Sequence, residues 1–99
     1  MLVNLDPTIG SEIRKTRPCV VISPDEMNRP LNTVIIAPIT SKSKKYPTRV
    51  AVRHGGISGW VVLDQIRTID KKRIVKLLGT LNLKEIFATK EVLRNMLVD

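Results

Sequence analysis

The chain is divided by turn residues into short apolar runs, each the length of one strand and too short for a helix of any stability. Cys19-Val20-Val21-Ile22-Ser23 stops at Pro24-Asp25, Asn32 to Ala37 stops at Pro38, and Trp60 to Leu63 follows the turn His54-Gly55-Gly56. Such runs, bounded by Pro, Gly and Asp, read as buried strands. Thr48 to Arg53 and Gln65 to Ile69 instead alternate with period two, so each is a strand with one apolar face and one polar face, basic in the first. Met1 to Leu5, closed by Asp6-Pro7, is a further short strand. Val and Ile dominate while aromatics make up 3% of the chain, which favours sheet over helix packing. Several short strands with turns between them predict a compact barrel or sandwich, mainly β, rather than an open parallel sheet.

The last segment has a different period. Asn82 is placed as an N-cap with Glu85 three residues on as its capping-box partner, and Leu83, Ile86, Phe87, Leu93 and Leu97 fall near one side of a helix. Lys90 and Arg94 interrupt that stripe. The spacing predicts a helix from Leu83 to Leu97 packed on the strands. Thr8 to Thr16, polar and without a period, reads as a mobile connection. With 99 residues and no internal repeat, the chain is expected to be one domain over residues 1–99, small enough for oligomerisation to add to its stability.

Charge narrows the partners. The formal net charge is +8, and between Glu26 and Asp64 there is no acidic residue, while Arg29, Lys42, Lys44, Lys45, Arg49 and Arg53 fall in that interval. That distribution puts positive potential on part of the surface and points to nucleic acid, an anionic membrane or an acidic protein. With one cysteine, Cys19, no internal disulfide is possible, and a reducing cytoplasm fits. Cys19 reads as a small buried hydrophobe. No signal-peptide pattern opens the chain and no run approaches the roughly 20 apolar residues of a membrane span, so a soluble, unexported protein is expected.

Several chemistries are excluded by residue type. One His and one Cys do not make an ordinary structural zinc site, no glycine-rich phosphate loop is present, and a two-histidine acid/base mechanism is impossible. His54 reads as a surface turn residue. What remains is cationic and hydroxyl chemistry at strand margins. Arg17, ahead of Pro18 and a buried strand, can hold two phosphate oxygens in fixed geometry, and Thr40 and Ser41 beyond Pro38 can donate to the same phosphate. On residue types alone the alternative stays open that Arg17 merely caps a sheet edge and Thr40 is a turn hydroxyl. Asp64-Gln65 can read base edges or begin a turn, and Trp60 can stack on a base or belong to the core.

These stretches, taken together, resemble the MazF/PemK family of type II toxins, which are sequence-specific endoribonucleases. The resemblance rests on Val3-Asn4-Leu5-Asp6-Pro7-Thr8-Ile9-Gly10-Ser11-Glu12, Lys15-Thr16-Arg17-Pro18 leading into Val20-Val21-Ile22-Ser23, Asn28, Val34-Ile35-Ile36-Ala37-Pro38-Ile39-Thr40-Ser41 and Val61-Val62-Leu63-Asp64-Gln65-Ile66-Arg67. It covers nearly the whole chain in family order. It implies a small SH3-like β-barrel of the CcdB/MazF type with a C-terminal helix, acting as a homodimer without cofactor or metal. The implied reaction is cleavage of single-stranded messenger RNA in the cytoplasm by attack of a ribose 2′-hydroxyl, leaving a 2′,3′-cyclic phosphate and a 5′-hydroxyl. By motif, Arg17 is the principal catalytic residue and Thr40 its partner.

In the same resemblance Ser41, Lys42, Lys44, Lys45, Arg49 and Arg53 supply RNA contacts. Glu12 and Lys15 flank the RNA groove in the first connection, and Asn28 and Gln65 are candidates for base contact. A cognate antitoxin with an acidic tail is the implied protein partner, and no membrane is involved. The family usually carries a few more residues before the first strand, which puts the pairing of that strand in question. The alternative class is a non-enzymatic gyrase poison like the CcdB toxins, which share this barrel but have no need of the Arg17-Pro18 and Pro38-Ile39-Thr40-Ser41 pair.

Overall fold

The computed structural model describes residues 1–5 and 17–98. The predicted connection Thr8 to Thr16, with Glu12 and Lys15, lies outside the described residues. Seven strands and two helices follow in the order β1 (Leu2–Leu5), β2 (Arg17–Val21), α1 (Asp25–Asn28), β3 (Thr33–Thr40), β4 (Arg49–His54), β5 (Ile57–Val62), β6 (Arg67–Asp70), β7 (Ile74–Gly79) and α2 (Leu83–Leu97). All pairings are antiparallel, and the strand path runs β4-β5-β3-β2-β1-β7, with β6 also on β3.

The continuous apolar runs are explained by burial on both faces of the middle strands. Leu2, Val20 and Ala37 enter one core cluster with Val50, Val52, Val61, Leu63 and Leu81, while their neighbours Val3, Cys19 and Ile36 enter a second with Leu5, Val34 and Ile69. Leu2, Leu5, Ile36, Leu63, Val3 and Val61 are fully buried, each contributing on the order of 1.5–3 kcal/mol. The question over β1 is answered by its pairing with β2 on one side and β7 on the other.

Among the described residues no ladder joins the end strands β4 and β7, so the expected barrel is an open, curled sheet. The two ends nevertheless meet through a side chain. His54, at the end of β4, places Nε2 2.9 Å from the carbonyl oxygen of Leu78 in β7. Its neighbour Gly79 has φ +130 and lies so close to the imidazole that a Cβ there would strike the ring. His54 is therefore half-buried and ties the sheet's ends together, not the surface turn residue expected.

Strand limits differ from expectation for identifiable reasons. β2 begins at Arg17 because Arg17 pairs with Leu5 across the β1 ladder, and it ends before Ser23. The Ser23 hydroxyl instead accepts from the Ile35 amide at 3.0 Å and donates to Asn28 Oδ1 at 2.5 Å, closing the turn around α1. β3 runs through Pro38 to Thr40, since Pro38 still pairs opposite Cys19. β5 begins at Ile57 and ends at Val62. Leu63–Gln65 is a single 3-10 turn rather than strand, so the next strand opens only at Arg67. β7 has no counterpart in the sequence reading because Val75 and Leu77, 50% and 63% exposed, break the expected burial pattern.

The terminal helix matches its predicted span, and both halves of the Asn82–Glu85 capping box are formed. The second carboxylate oxygen of Glu85 accepts from the Arg53 amide at 2.8 Å, tying the helix to the edge strand β4. Its buried side keeps only Ile86 and Leu93 of the predicted stripe. Ile86, Ala88, Val92, Leu93 and Met96 pack on the core, while Leu83, Phe87 and Leu97 are 84%, 67% and 64% exposed. Lys90 and Arg94 share that outer side, so their interruption of the stripe marks the solvent face.

Gly79→Ala is expected to destabilise the chain by about 1–3 kcal/mol in urea unfolding, since it adds a strained φ to a clash with His54. In a His54→Ala background the clash is removed and the added cost should fall; strictly additive costs would show that the two residues do not touch.

Candidate nucleic-acid interface

The start of β2 and the end of β3 lie at the same mouth of the sheet, and a groove of about 1020 Å³ opens between them. Arg17, Thr40, Ser41, Lys42, Arg49 and Gln65 line it, so six of the sequence-named site residues converge there. Arg67 and Arg73 complete its cationic wall, with Ser58 from β5 adding a hydroxyl. Burial pushes the Cys19 thiol up from its ordinary value, while the charges of Arg67, Arg73 and Arg17 pull it the other way. All three guanidinium groups therefore stand within electrostatic reach of one buried sulfur at the groove floor. Clustered arginines with few carboxylates make a site for a phosphodiester, since each guanidinium offers a fork that fits two phosphate oxygens.

Thr40 sits at the last position of β3, and its place is set by Gly59. A Cβ on Gly59 would lie 2.5 Å from the Thr40 carbonyl oxygen, so only glycine lets β5 approach here. The Thr40 hydroxyl accepts from the Lys42 amide at 3.3 Å and donates to the Lys42 carbonyl at 3.2 Å. A ligand oxygen can take over the donor while the Lys42 amide keeps the hydroxyl oriented.

The basic loop between β3 and β4 is anchored by Arg49. Its guanidinium donates to Ser43 Oγ at 2.6 Å, lies 4.9 Å from the centre of the Tyr46 ring and has Nε 3.5 Å from Asp64 Oδ1. That Nε is buried and, beyond the ion pair, has no hydrogen-bond partner among the described residues. Asp64 also accepts from the Thr48 hydroxyl at 3.0 Å. Burial acts to raise the Asp64 pKa, but the hydrogen bonds from Thr48 and its own backbone, with the ion pair to Arg49, outweigh it and hold the carboxyl below its ordinary value.

The remaining named residues divide. Arg53 does not line the groove but borders a neighbouring cavity with Ser41. Lys44 and Lys45 are exposed on the anchored loop. Asn28 is brought elsewhere: its amide donates to the Ser23 carbonyl at 2.9 Å and accepts from the Ser23 hydroxyl, and its own carbonyl accepts from Lys71 Nζ. Arg67 and Arg73 were missed because nothing local marks them. Arg67 reaches the groove through the pairing of β6 on β3, where it stands opposite Ile36. Among the described residues no group of three or more His, Cys, Asp or Glu could hold a metal ion, and no helix is long and apolar enough to cross a membrane.

A curled antiparallel sheet with one terminal helix carries an arginine-walled groove whose charge suits a polyanion. Comparison with known proteins specifies the class. The model of the PemK-like, MazF-like toxin of type II toxin-antitoxin systems matches residues 1–97. MazF from Deinococcus radiodurans is 30% identical, with a TM-score of 0.78 over 97% of this chain and 91% of that one. The same organism's MazE–MazF complex gives 30% identity and a TM-score of 0.81 over 98% and 90%. A mycobacterial endoribonuclease in complex with its cognate antitoxin shares the fold, with a TM-score of 0.83 at 23% identity over 97% and 89%. The chain belongs to the PemK/MazF toxin family of type II toxin-antitoxin systems.

The Asp64 anchor gives a pH test. Because the folded-state pKa is below the ordinary 3.8, the unfolded chain takes up the proton first as pH falls. The stabilisation is therefore complete above about pH 5 and is lost as pH falls through 3.8 and below. The thermal midpoint of wild type should exceed that of Asp64→Asn by a constant margin between pH 5 and 8, and the margin should shrink below pH 4; a margin that grows in acid would contradict the assignment.

Proposed function

We propose that this chain is the toxin of a toxin-antitoxin pair and a sequence-specific endoribonuclease that cuts single-stranded messenger RNA without a metal. The observation that carries this reading is the convergence of Arg17, Thr40 and the further arginines Arg49, Arg67 and Arg73 on one groove. A pure gyrase-binding poison needs no such convergence.

In the proposed reaction the ribose 2′-oxygen attacks the adjacent phosphorus, the new P–O2′ bond forms, and the bond to the 5′-oxygen breaks. The products are a 2′,3′-cyclic phosphate and a 5′-hydroxyl. The 2′-hydroxyl proton passes to solvent. Arginine is protonated at neutral pH, with a pKa above about 12, so Arg17 is not the base. It is assigned to stabilise the charge of the pentacoordinate phosphorus and to hand a proton to the leaving 5′-oxygen, which as an alkoxide is the stronger base, regaining it from water. Thr40 donates to a non-bridging oxygen.

Ser41, Lys42, Arg67 and Arg73 contact neighbouring phosphates, with Lys15 from the first connection. Lys44, Lys45 and Arg53 add long-range attraction, Arg49 acts mainly through the loop it anchors, and Gln65 and Glu12 are assigned to base contact. Asn28 is assigned a turn-forming role in place of base contact, because its amide is committed to Ser23.

The antitoxin would present an acidic segment to the same groove, and messenger RNA as substrate places the action in the cytoplasm. We assign the active form as a homodimer, supported by exposed Val75 and Leu77 on β7 and by Leu83, Phe87 and Leu97 on α2, more apolar surface than a small monomer usually leaves in water.

Purified protein should cut a long, sequence-diverse single-stranded RNA in the presence of EDTA. Arg17→Ala should lower the rate by about 100- to 1,000-fold while circular dichroism stays unchanged. An intact RNA, or equal cutting by the variant, would overturn the assignment. Light scattering at micromolar concentration should give twice the chain mass, and Leu77→Glu with Phe87→Glu should give a monomer; a monomeric wild type would end the dimer assignment.

A further inference from the structure

Trp60 is the chain's one tryptophan, and its surroundings differ from those of a core residue. Among the described residues, neither apolar cluster includes it. On β5 it stands opposite Thr40 of β3 and Ala51 of β4, while the next row, Ile39, Val61 and Val50, turns the other way. Val61 and Val50 are buried in the core, whereas Ala51 is exposed and Trp60 and Thr40 are partly so. Trp60 therefore lies on the outward face of the sheet, directly across the strand pair from Thr40. Residues so paired carry their Cβ atoms about 4.5–5.5 Å apart. Ser58 and Arg53 form the following row on that same face.

Trp60, Ala51, Ser58 and Arg53 border a cavity of about 350 Å³ that adjoins the arginine-walled groove lined by Thr40, with Ser41 and Ser58 lining both. A ligand held by a phosphate at Thr40 thus meets, one residue pair away, an indole flanked by a cation and two hydroxyls. That is the make-up of a stacking subsite for a single-stranded nucleic acid, where an aromatic takes the base and a positive charge follows the backbone. The Glu85 carboxylate at the rim has its oxygens engaged by the Asn82 and Arg53 amides, which fixes its position; it keeps its negative charge, opposite in sign to that of Arg53 on the same cavity.

We propose that the Trp60 cavity is a nucleobase subsite, in which the base next to the phosphate bound at Thr40 stacks on the indole. The proposal rests on the nuclease reading for its ligand but makes a separate claim about where a base sits. Stacking of this kind tolerates any base, so the subsite would contribute affinity and register along the strand, leaving choice of sequence to other contacts.

The single tryptophan supplies its own signal. The probe is a labelled, single-stranded 2′-O-methyl oligonucleotide pool, which cannot be cut because its 2′-oxygen is blocked, compared with an abasic oligomer of equal phosphate number. The base-bearing pool should quench tryptophan emission of the full chain on binding, and the abasic oligomer should bind without quenching. By label anisotropy, Trp60→Leu should bind the base-bearing pool roughly 5- to 150-fold more weakly and the abasic oligomer unchanged, while Trp60→Phe stays within a few-fold of wild type.

Equal quenching by both probes, or undiminished binding by Trp60→Leu, overturns the subsite while leaving the nuclease reading standing. Cleavage of RNA with no quenching by either probe does the same. Failure of both probes to bind, together with intact RNA, overturns the nuclease reading and the subsite together. Quenching by the antitoxin but by neither oligonucleotide would reassign the cavity to a protein side chain.

Discussion

The architecture depends on a change of partner along β3. Its first half pairs with β6 through Thr33 to Ile36, its last two residues pair with β5 through Ile39 and Thr40, and β2 covers the opposite edge from Ile36 to Pro38. Pro38 sits where one edge partner has ended and the other has not begun, so the amide hydrogen it lacks leaves no ladder position unpaired on that edge. The same switch turns the chain so that Thr40 emerges at the mouth of the sheet instead of continuing within it. Gly59 then allows β5 to close on the Thr40 carbonyl. The position of the candidate catalytic hydroxyl thus follows from two residues chosen for what they lack, a proline without an amide hydrogen and a glycine without a side chain.

Around that hydroxyl the charge distribution is unbalanced by design of the strand order. Arg17 comes from β2, Lys42 from the loop after β3, Arg49 from β4, Arg67 from β6 and Arg73 from the turn before β7. Cations gathered from five points of the chain repel one another, and that repulsion is offset by an anion bound among them. The fold tolerates the concentration because the groove is open to water and because Asp64 answers one of the charges directly. The Arg49–Asp64 contact also holds Tyr46 and Ser43, so the loop bearing the lysines is fixed at its base while its tip stays exposed.

The short strands and the terminal helix were plain in the sequence, since both rest on local rules: Asn82 and Glu85 announce a capping box, and Cys19 to Ile22 is a continuous apolar run of strand length. What depended on register was not legible. The half-buried state of His54 requires β7 to pass beside β4, and β7 itself is obscured by the exposed Val75 and Leu77. Arg67 looks like any outward residue of an alternating strand until its pairing opposite Ile36 sets it at the groove. Asn28 erred in the other direction: an amide in a polar stretch invites a base contact, but Ser23 five residues earlier has already engaged it. The helix stripe held at Ile86 and Leu93 and failed at Leu83, Phe87 and Leu97, because apolar residues occupy both sides of α2 and periodicity alone does not say which side meets the sheet.

The basic residues also divide by how they can act on a polyanion. A cation already paired with a protein carboxylate has its charge largely cancelled there, so it adds little to the field and neutralises no phosphate of a polyanion. Arg49 is of this kind, held by Asp64, Ser43 and Tyr46. Lys44 and Lys45, exposed on the loop, can steer an approaching strand from a distance, an effect that fades within about 10 Å in ordinary salt. Arg17 and Lys42 line the groove itself, where each can neutralise a phosphate and so release the counterion condensed on it. The number of ions released on binding must therefore be well below the number of basic residues on this face. The net charge of +8 sets how strongly the protein attracts any polyanion at long range, and the smaller set of groove cations sets what the groove can hold by direct contact.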